Sequence, residues 1–251
     1  MNIYGIYFSP TGGTEKIVTH LAKEFGDPRK WDLSKREETA PPAFTPEDIC
    51  VIGVPSYGGR VPAVALERMA SFQGNGAKAV LVVSYGNRAY DDTIRELEEL
   101  VQQKGFACVA AIAAVAEHSI MHQFAAGRPD SEDLAELSRF AKKIREKLDS
   151  GVCGQPTVPG NSPYREYNGV PLKPKACRKC TACGLCAKSC PVGAIPADAP
   201  KKTDKRLCIS CMRCVKVCPR GARSVSPLML KAASKKMEAA CAQKKPNELF
   251  L

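Results

Sequence analysis

Four short apolar runs, at residues 3–8, 49–54, 79–83 and 108–115, read as strands buried on both faces of a sheet, because they lack the alternation of a half-solvated strand. Helical stripes separate them. Residues 14–25 align Ile17, Val18, Leu21, Ala22 and Phe25, and residues 91–104 align Ile94, Leu97, Leu100 and Val101. Asp91 is the expected N-cap of the latter helix and Gly105 its C′ residue. A further helix over 131–148, carrying Leu134, Leu137, Ile144 and Leu148, closes the unit, and residues 30–33 are a candidate second strand. This alternation predicts a doubly wound α/β parallel sheet, whose ligand sits beyond the carboxyl ends of the strands.

The chain has 251 residues, 44% hydrophobic and 25% charged, which excludes disorder and accommodates one to two domains. The longest apolar run, ten residues at 107–116, is too short for a bilayer span. The opening residues show neither a basic n-region nor a small-residue cleavage site, so a cytoplasmic location is expected. In that setting thirteen cysteines point to metal rather than disulfides. Charge divides the chain as the cysteines do. Residues 1–150 carry 18 Lys and Arg against 21 Asp and Glu, whereas residues 151–251 carry 19 against 5. Cys50, Cys108 and Cys153 precede the dense group from Cys177 to Cys218, and Cys241 follows it. The expected organisation is an N-terminal unit over 1–150, a Pro/Gly-rich linker over 151–176, a cysteine-rich unit over 177–226, and a helix and tail over 227–251.

At the end of the first strand stands Ser9-Pro10-Thr11-Gly12-Gly13-Thr14, where glycines allow close backbone approach and hydroxyls meet the N–H groups of a new helix. That chemistry suits a phosphate. The loop has neither the lysine of a nucleotide-triphosphate P-loop nor G-x-G-x-x-G spacing, and the G-x-G-x-x-A match at 74–79 precedes a strand, so it reads as a turn. The loop resembles the FMN phosphate loop of flavodoxins, over about 150 residues of chain. The resemblance implies a flavodoxin-like fold and two further flavin loops, Pro55-Ser56-Tyr57-Gly58-Gly59-Arg60 and Ser84-Tyr85-Gly86-Asn87-Arg88-Ala89-Tyr90. By similarity Tyr57 and Tyr85 or Tyr90 flank the flavin ring, while Gly58, Gly59, Gly86 and Asn87 offer hydrogen bonds. Arg60 and Arg88 stand where flavodoxins carry acidic residues, so raised flavin potential is expected.

Cys180-x2-Cys183-x2-Cys186-x3-Cys190-Pro191 recurs 28 residues later as Cys208-x2-Cys211-x2-Cys214-x3-Cys218-Pro219. Three thiolates spaced by three wrap a cubane while the fourth, before proline, serves the other cluster. The expected ligand sets are therefore crossed: Cys180, Cys183, Cys186 and Cys218 for one 4Fe-4S cluster, and Cys208, Cys211, Cys214 and Cys190 for a second. The stretch resembles bacterial two-cluster ferredoxins, with a small α+β fold. Structural zinc, the competing reading, favours separated Cys-x2-Cys pairs. Cys177 falls outside the register, and Cys50 and Cys108 read as strand packing.

Two clusters contribute roughly −4, so the second half stays basic through Arg178, Lys179, Lys201, Lys202, Lys205 and Arg206. Such a face suits an acidic redox partner; nucleic acid is disfavoured because aromatics and binding motifs are scarce. The linker holds five prolines, four glycines and two tyrosines, which suggest packing on a domain face. The tail after Ser226 spaces Leu228, Leu230, Ala233, Met237 and Ala240 as one helix, expected to pack on the cluster unit. Glu117-His118-Ser119 and His122 fall on the flavin edge, with His118 a candidate proton source and the two histidines a weak metal pair. The whole is similar to flavodoxin-ferredoxin fusion proteins of anaerobic bacteria. It implies an electron carrier passing electrons between FMN, two clusters and a protein partner; the alternative is an FMN-dependent reductase acting on a small molecule at the flavin. Whether one chain or a homodimer brings the cofactors together is left open by the sequence.

Overall fold

The computed structural model describes residues 1–36, 41–151 and 154–251, so Cys153 lies outside the described residues. The apolar runs become strands with α-helices between them: β1 (Ile3–Tyr7), α1 (Gly13–Phe25), β2 (Pro28–Asp32), β3 (Ile49–Pro55), α2 (Ala63–Met69), β4 (Lys78–Tyr85), α3 (Thr93–Gln103), β5 (Ala107–Val115) and α4 (Ser131–Asp149). Strands β2, β1, β3, β4 and β5 lie side by side in that order, all parallel. Helices cover both faces. Helices α1 and α4 bury Ile17, Leu21, Leu137 and Ile144 against one face, and α2 and α3 bury Met69, Ile94 and Leu97 against the other. Close packing at the head of α1 fixes Gly53 in β3, where a Cβ would stand 2.2 Å from Val18 Cγ2.

Asp92, not Asp91, precedes α3; Asp91 takes a left-handed φ of 42°. The Asp92 side chain does not cap the helix. It is turned to the linker, accepting from the backbone N–H groups of Asn161 (2.8 Å) and Arg165 (2.7 Å) and from Asn161 Nδ2 (2.9 Å). These bonds hold its carboxyl below the usual range despite the opposing effect of burial. The linker is thereby fixed rather than free over this stretch. Gly105, with φ 79°, follows α3 as expected. Helix α4 starts from a capping box between Asp130 and Asp133.

The second half is built from β6 (Lys175–Ala176), α5 (Leu185–Lys188), α6 (Arg213–Lys216) and β7 (Arg223–Ser224), with β6 and β7 antiparallel. Its repeat is visible in the backbone. Ala182, Gly184 and Gly193 of the first copy and Ser210, Met212 and Gly221 of the second all have φ between 55° and 76°. The chain ends with α7 (Pro227–Cys241) and β8 (Glu248–Phe250). Two expectations for the tail are corrected. Helix α7 packs Leu230, Ala233 and Met237 chiefly with Ile120, Met121 and Phe124 and with the linker residues Val170 and Leu172, and meets the cysteine-rich unit through Val225, while Leu228 is 80% exposed. Strand β8 then returns to the first half and pairs antiparallel with β5 as a sixth strand. Among the described residues no helix is long and apolar enough to cross a membrane.

Candidate functional site

The carboxyl ends of β1, β3, β4 and β5 surround a cavity of about 760 Å3. Three loops anticipated from the sequence line it, through Ser9, Thr11, Gly13 and Thr14, through Pro55, Ser56, Tyr57 and Gly58, and through Ser84, Tyr85 and Gly86. Ser9 Oγ accepts from the Glu15 backbone N–H (2.9 Å), and Thr14 Oγ1 lies 2.7 Å from Ser84 Oγ, so hydroxyls tie the loops together. The first N–H groups of α1 lack intrahelical acceptors and face this loop. Tyr57 stacks edge-on against Phe8 at 6.5 Å, and burial pushes its phenol far up. Burial likewise raises the Tyr85 phenol to about 12.

Four expected residues do not line this cavity. Gly12 opens onto a neighbouring cleft, Gly59 lies against Asp91 and Arg165, and Tyr90 donates to Glu248 Oε2 at 3.0 Å. Asn87 is buried and clamps the tail: Nδ2 donates to the carbonyls of Cys241 (2.8 Å) and Gln243 (2.9 Å), while Oδ1 accepts from Lys245 N–H (3.2 Å). Arg60 and Arg88 are also turned elsewhere. Arg60 forms a fork with Glu96, at 2.8 and 2.6 Å, and lies over Tyr164; Arg88 pairs with Asp91. Glu96 thus offsets the charge of Arg60, whereas Asp91 is shared by Arg88 and Arg165.

In their place stand residues of distant sequence. His118 lines the cavity, with Nδ1 accepting from the N–H groups of Ile120 (3.2 Å) and Met121 (3.1 Å), and burial lowers its pKa to about 4. It is therefore a neutral Nε2–H donor near pH 7, not a charged acid. His122 is bound to Glu117 at 2.6 Å rather than paired with His118. Tyr167 and Val170 of the linker and Ile209 and Ser210 of the cysteine-rich half complete the wall. The Tyr167 ring lies so close that a Cβ at Gly58 would stand 2.1 Å from it.

The eight repeat cysteines divide between two smaller cavities. Cys180, Cys183, Cys186 and Cys218 line one of about 350 Å3; Cys190, Cys208, Cys211 and Cys214 line another of about 310 Å3. Cys177 lines neither, Cys50 and Cys108 are buried in β3 and β5, and Cys241 is buried at the end of α7. Burial pushes Cys211 up to about 12 and Cys214 to about 11, a penalty that bound iron reverses by taking up the thiolates. Arg223, 2% exposed, lines the first cavity; its Nη1 donates to Thr203 Oγ1 (2.9 Å), while its buried Nε has no hydrogen-bond partner among the described residues. An orphaned guanidinium N–H beside four thiols fits an anionic iron-sulfur group.

Family models match the chain twice, a flavodoxin model over residues 6–128 and a 4Fe-4S dicluster domain model over residues 179–222. The chain joins a flavodoxin domain to a 4Fe-4S dicluster domain. FMN and 4Fe-4S are accordingly the cofactor types implied. Among solved structures, the flavodoxin domain is similar to oxidised flavodoxin 1 from Bacillus cereus, at 18% identity over 58% of this chain and 98% of that one, with TM-score 0.41. A Streptococcus pneumonia TIGR4 flavodoxin matches at 18% identity over 57% and 97%, TM-score 0.41. Rubredoxin oxygen:oxidoreductase from the anaerobe Desulfovibrio gigas matches at 13% over 61% and 37%, TM-score 0.40. No curated protein matches the chain.

Proposed function

We propose that this protein passes electrons within one chain between FMN, seated in the cavity of Ser9, Thr14, Tyr57 and Tyr85, and two 4Fe-4S clusters, and onward to a protein partner. When bound, a flavin exchanges two electrons and each cluster one. The observation that carries the reading is Ile209, which lines both the flavin cavity and the cavity of Cys190, Cys208, Cys211 and Cys214. One residue thus borders both sites, which supports transfer within a single chain. Cys186 and Cys214, one from each cysteine set, pack in one apolar cluster with Ile195, which favours passage from the inner set to the outer one.

The outer set leads to the surface. Cys183 is exposed and Leu185 is 41% exposed beside the cavity they line, with Arg178, Lys179, Lys188 and Arg220 exposed in the same segments. An apolar contact rimmed by cations suits an acidic partner docking over this cluster. Anaerobic protein is expected to contain about eight irons and one flavin per chain. On stepwise reduction, flavin bleaching and cluster EPR signals should rise at rates independent of protein concentration. Exchange that slows on dilution would move the transfer between chains and overturn this reading.

A further inference from the structure

A cleft of about 1640 Å3 adjoins the flavin cavity and shares Thr11, Gly13, Glu117, Ser119 and Ile120 with it. Neither Tyr57 nor Tyr85 reaches this cleft. One wall is apolar, formed by Val215 of α6 and by Val225, Pro227 and Leu230 around the start of α7. The charged groups on its lining do not cancel. Arg128 is held by Asp133, and His122 by Glu117. Lys16 places one N–H on Pro129 O at 2.5 Å and keeps two for a ligand, while the ammonium of exposed Lys216 has no hydrogen bond or ion pair among the described residues. Glu117, on the same lining and in electrostatic contact with Lys216, offsets one of these charges, so one net positive charge remains beside the apolar wall and suits an amphipathic anion.

Met212 gives the cleft a redox character. It lines the cleft and the cavity of Cys190, Cys208, Cys211 and Cys214 alike, as Ile209 joins that cavity to the flavin site. The inner cysteine set thus stands between two ligand spaces, one side chain from each.

We propose that the cleft binds a planar quinoid molecule bearing an anionic group, its ring on Val215 and Leu230 and its charge at Lys216 and Lys16, and that electrons reach it across Met212. Reduction there converts two carbonyls to two hydroxyls. Two electrons arrive singly through the inner cluster, two protons come from water in the open cleft, and the two-electron-reduced flavin of the same chain is oxidised. The supply of electrons rests on the function proposed above; binding rests on the cleft alone.

The test uses anaerobic holoprotein and anthraquinone-2-sulfonate as the probe. Equilibrium dialysis against the oxidised protein should give saturable binding, weakened at least tenfold by Lys216→Glu and abolished by Val215→Trp, with Lys201→Glu unchanged. Iron and flavin contents of each variant establish that it carries its cofactors; if Val215→Trp loses them, the surface variant Lys216→Glu decides. No saturable binding, or binding indifferent to Lys216→Glu, overturns the proposal. Stopped-flow reduction of the probe then separates the two claims. Binding without reduction, in protein whose flavin and clusters exchange electrons, removes the quinoid step; binding in protein whose flavin and clusters do not exchange leaves the site standing and sinks the electron-transfer reading.

Discussion

Arg213, between Cys211 and Cys214, donates from Nη1 to the carbonyl of Pro10 at 3.1 Å, binding the inner cysteine loop to the hydroxyl-rich loop 203 residues earlier in the chain. A second, longer contact reaches Ser9 O at 3.5 Å, and the buried Nε has no partner among the described residues. The guanidinium thus adds positive charge behind a loop suited to phosphate. Arg213→Leu is expected to weaken FMN binding about tenfold, since charge-assisted bonds contribute about 1.5 to 3 kcal/mol and part of that falls on the loop's alignment. Fluorescence titration of flavin-stripped protein measures it. Arg213→Lys should recover part of the affinity, and a leucine variant binding FMN as wild type does would remove the role.

Much of this arrangement was legible in the sequence. The four apolar runs and the stripes of α1, α3 and α4 follow from burial periodicity, and the two cysteine quartets follow from spacing alone. What was not legible came from contacts between distant segments. Arg60 reads as a flavin-facing cation until Glu96, on another element, is seen to take it, and Asn87 reads as a flavin ligand until the tail arrives at its amide. Seven-residue α2 has too few turns to show a period, and three-residue β8 is defined by pairing with β5 rather than by its own pattern. Tyr167 offered one signal, an aromatic residue in a Pro/Gly-rich stretch, but nothing in the sequence indicates that it meets Gly58.

Asn87 joins the flavin-side loop to the tail by three hydrogen bonds in a buried setting. Asn87→Ala leaves two carbonyls and an N–H without that partner, so a loss of about 2 to 3 kcal/mol is expected. For a chain of this size that corresponds to a Tm lower by about 4 to 12 °C. Because Gly86 lines the cavity next door, flavin affinity should fall in the same variant. Calorimetry and flavin titration on one preparation check both, and an unchanged Tm would show that the clamp is not stabilising.

His118 is neutral when folded, its pKa lowered by burial to about 4 from an ordinary value near 6.5. Between those values the unfolded chain binds a proton that the folded chain refuses, so stability falls as pH drops through the window. The group alone accounts for about 2 kcal/mol lost between pH 7 and pH 5. Asp133 acts lower on the scale. Against the upward push of burial, its bonds from Arg128, the Asp130 backbone and Asn247 hold it at about 2, so its contribution is present above about pH 4 and disappears as pH falls toward 2. On protein carrying labelled histidine, the His118 ring resonances should stay fixed from pH 8 to pH 5; a midpoint near 6.5 contradicts the buried placement.

The division of eight cysteines between two cavities makes the fourth cysteine of each run the informative one. Cys190 follows Cys186 by four residues yet lines the cavity of Cys208, Cys211 and Cys214, and Cys218 lines that of Cys180, Cys183 and Cys186. If clusters occupy these cavities, Cys190→Ser and Cys211→Ser should remove one and the same EPR signal, and Cys218→Ser and Cys183→Ser the other, each variant keeping about four irons. The two pairs should also differ in consequence. With the inner cluster lost, flavin reduction should no longer reach the outer one, because Ile209 lines the inner cysteine cavity and not the outer one. With the outer cluster lost, flavin and inner cluster should still exchange electrons while delivery to a partner stops. Cys177→Ser, whose thiol lines neither space, should keep both signals, and loss of the same signal in Cys218→Ser and Cys211→Ser would mean that the two sets are not crossed.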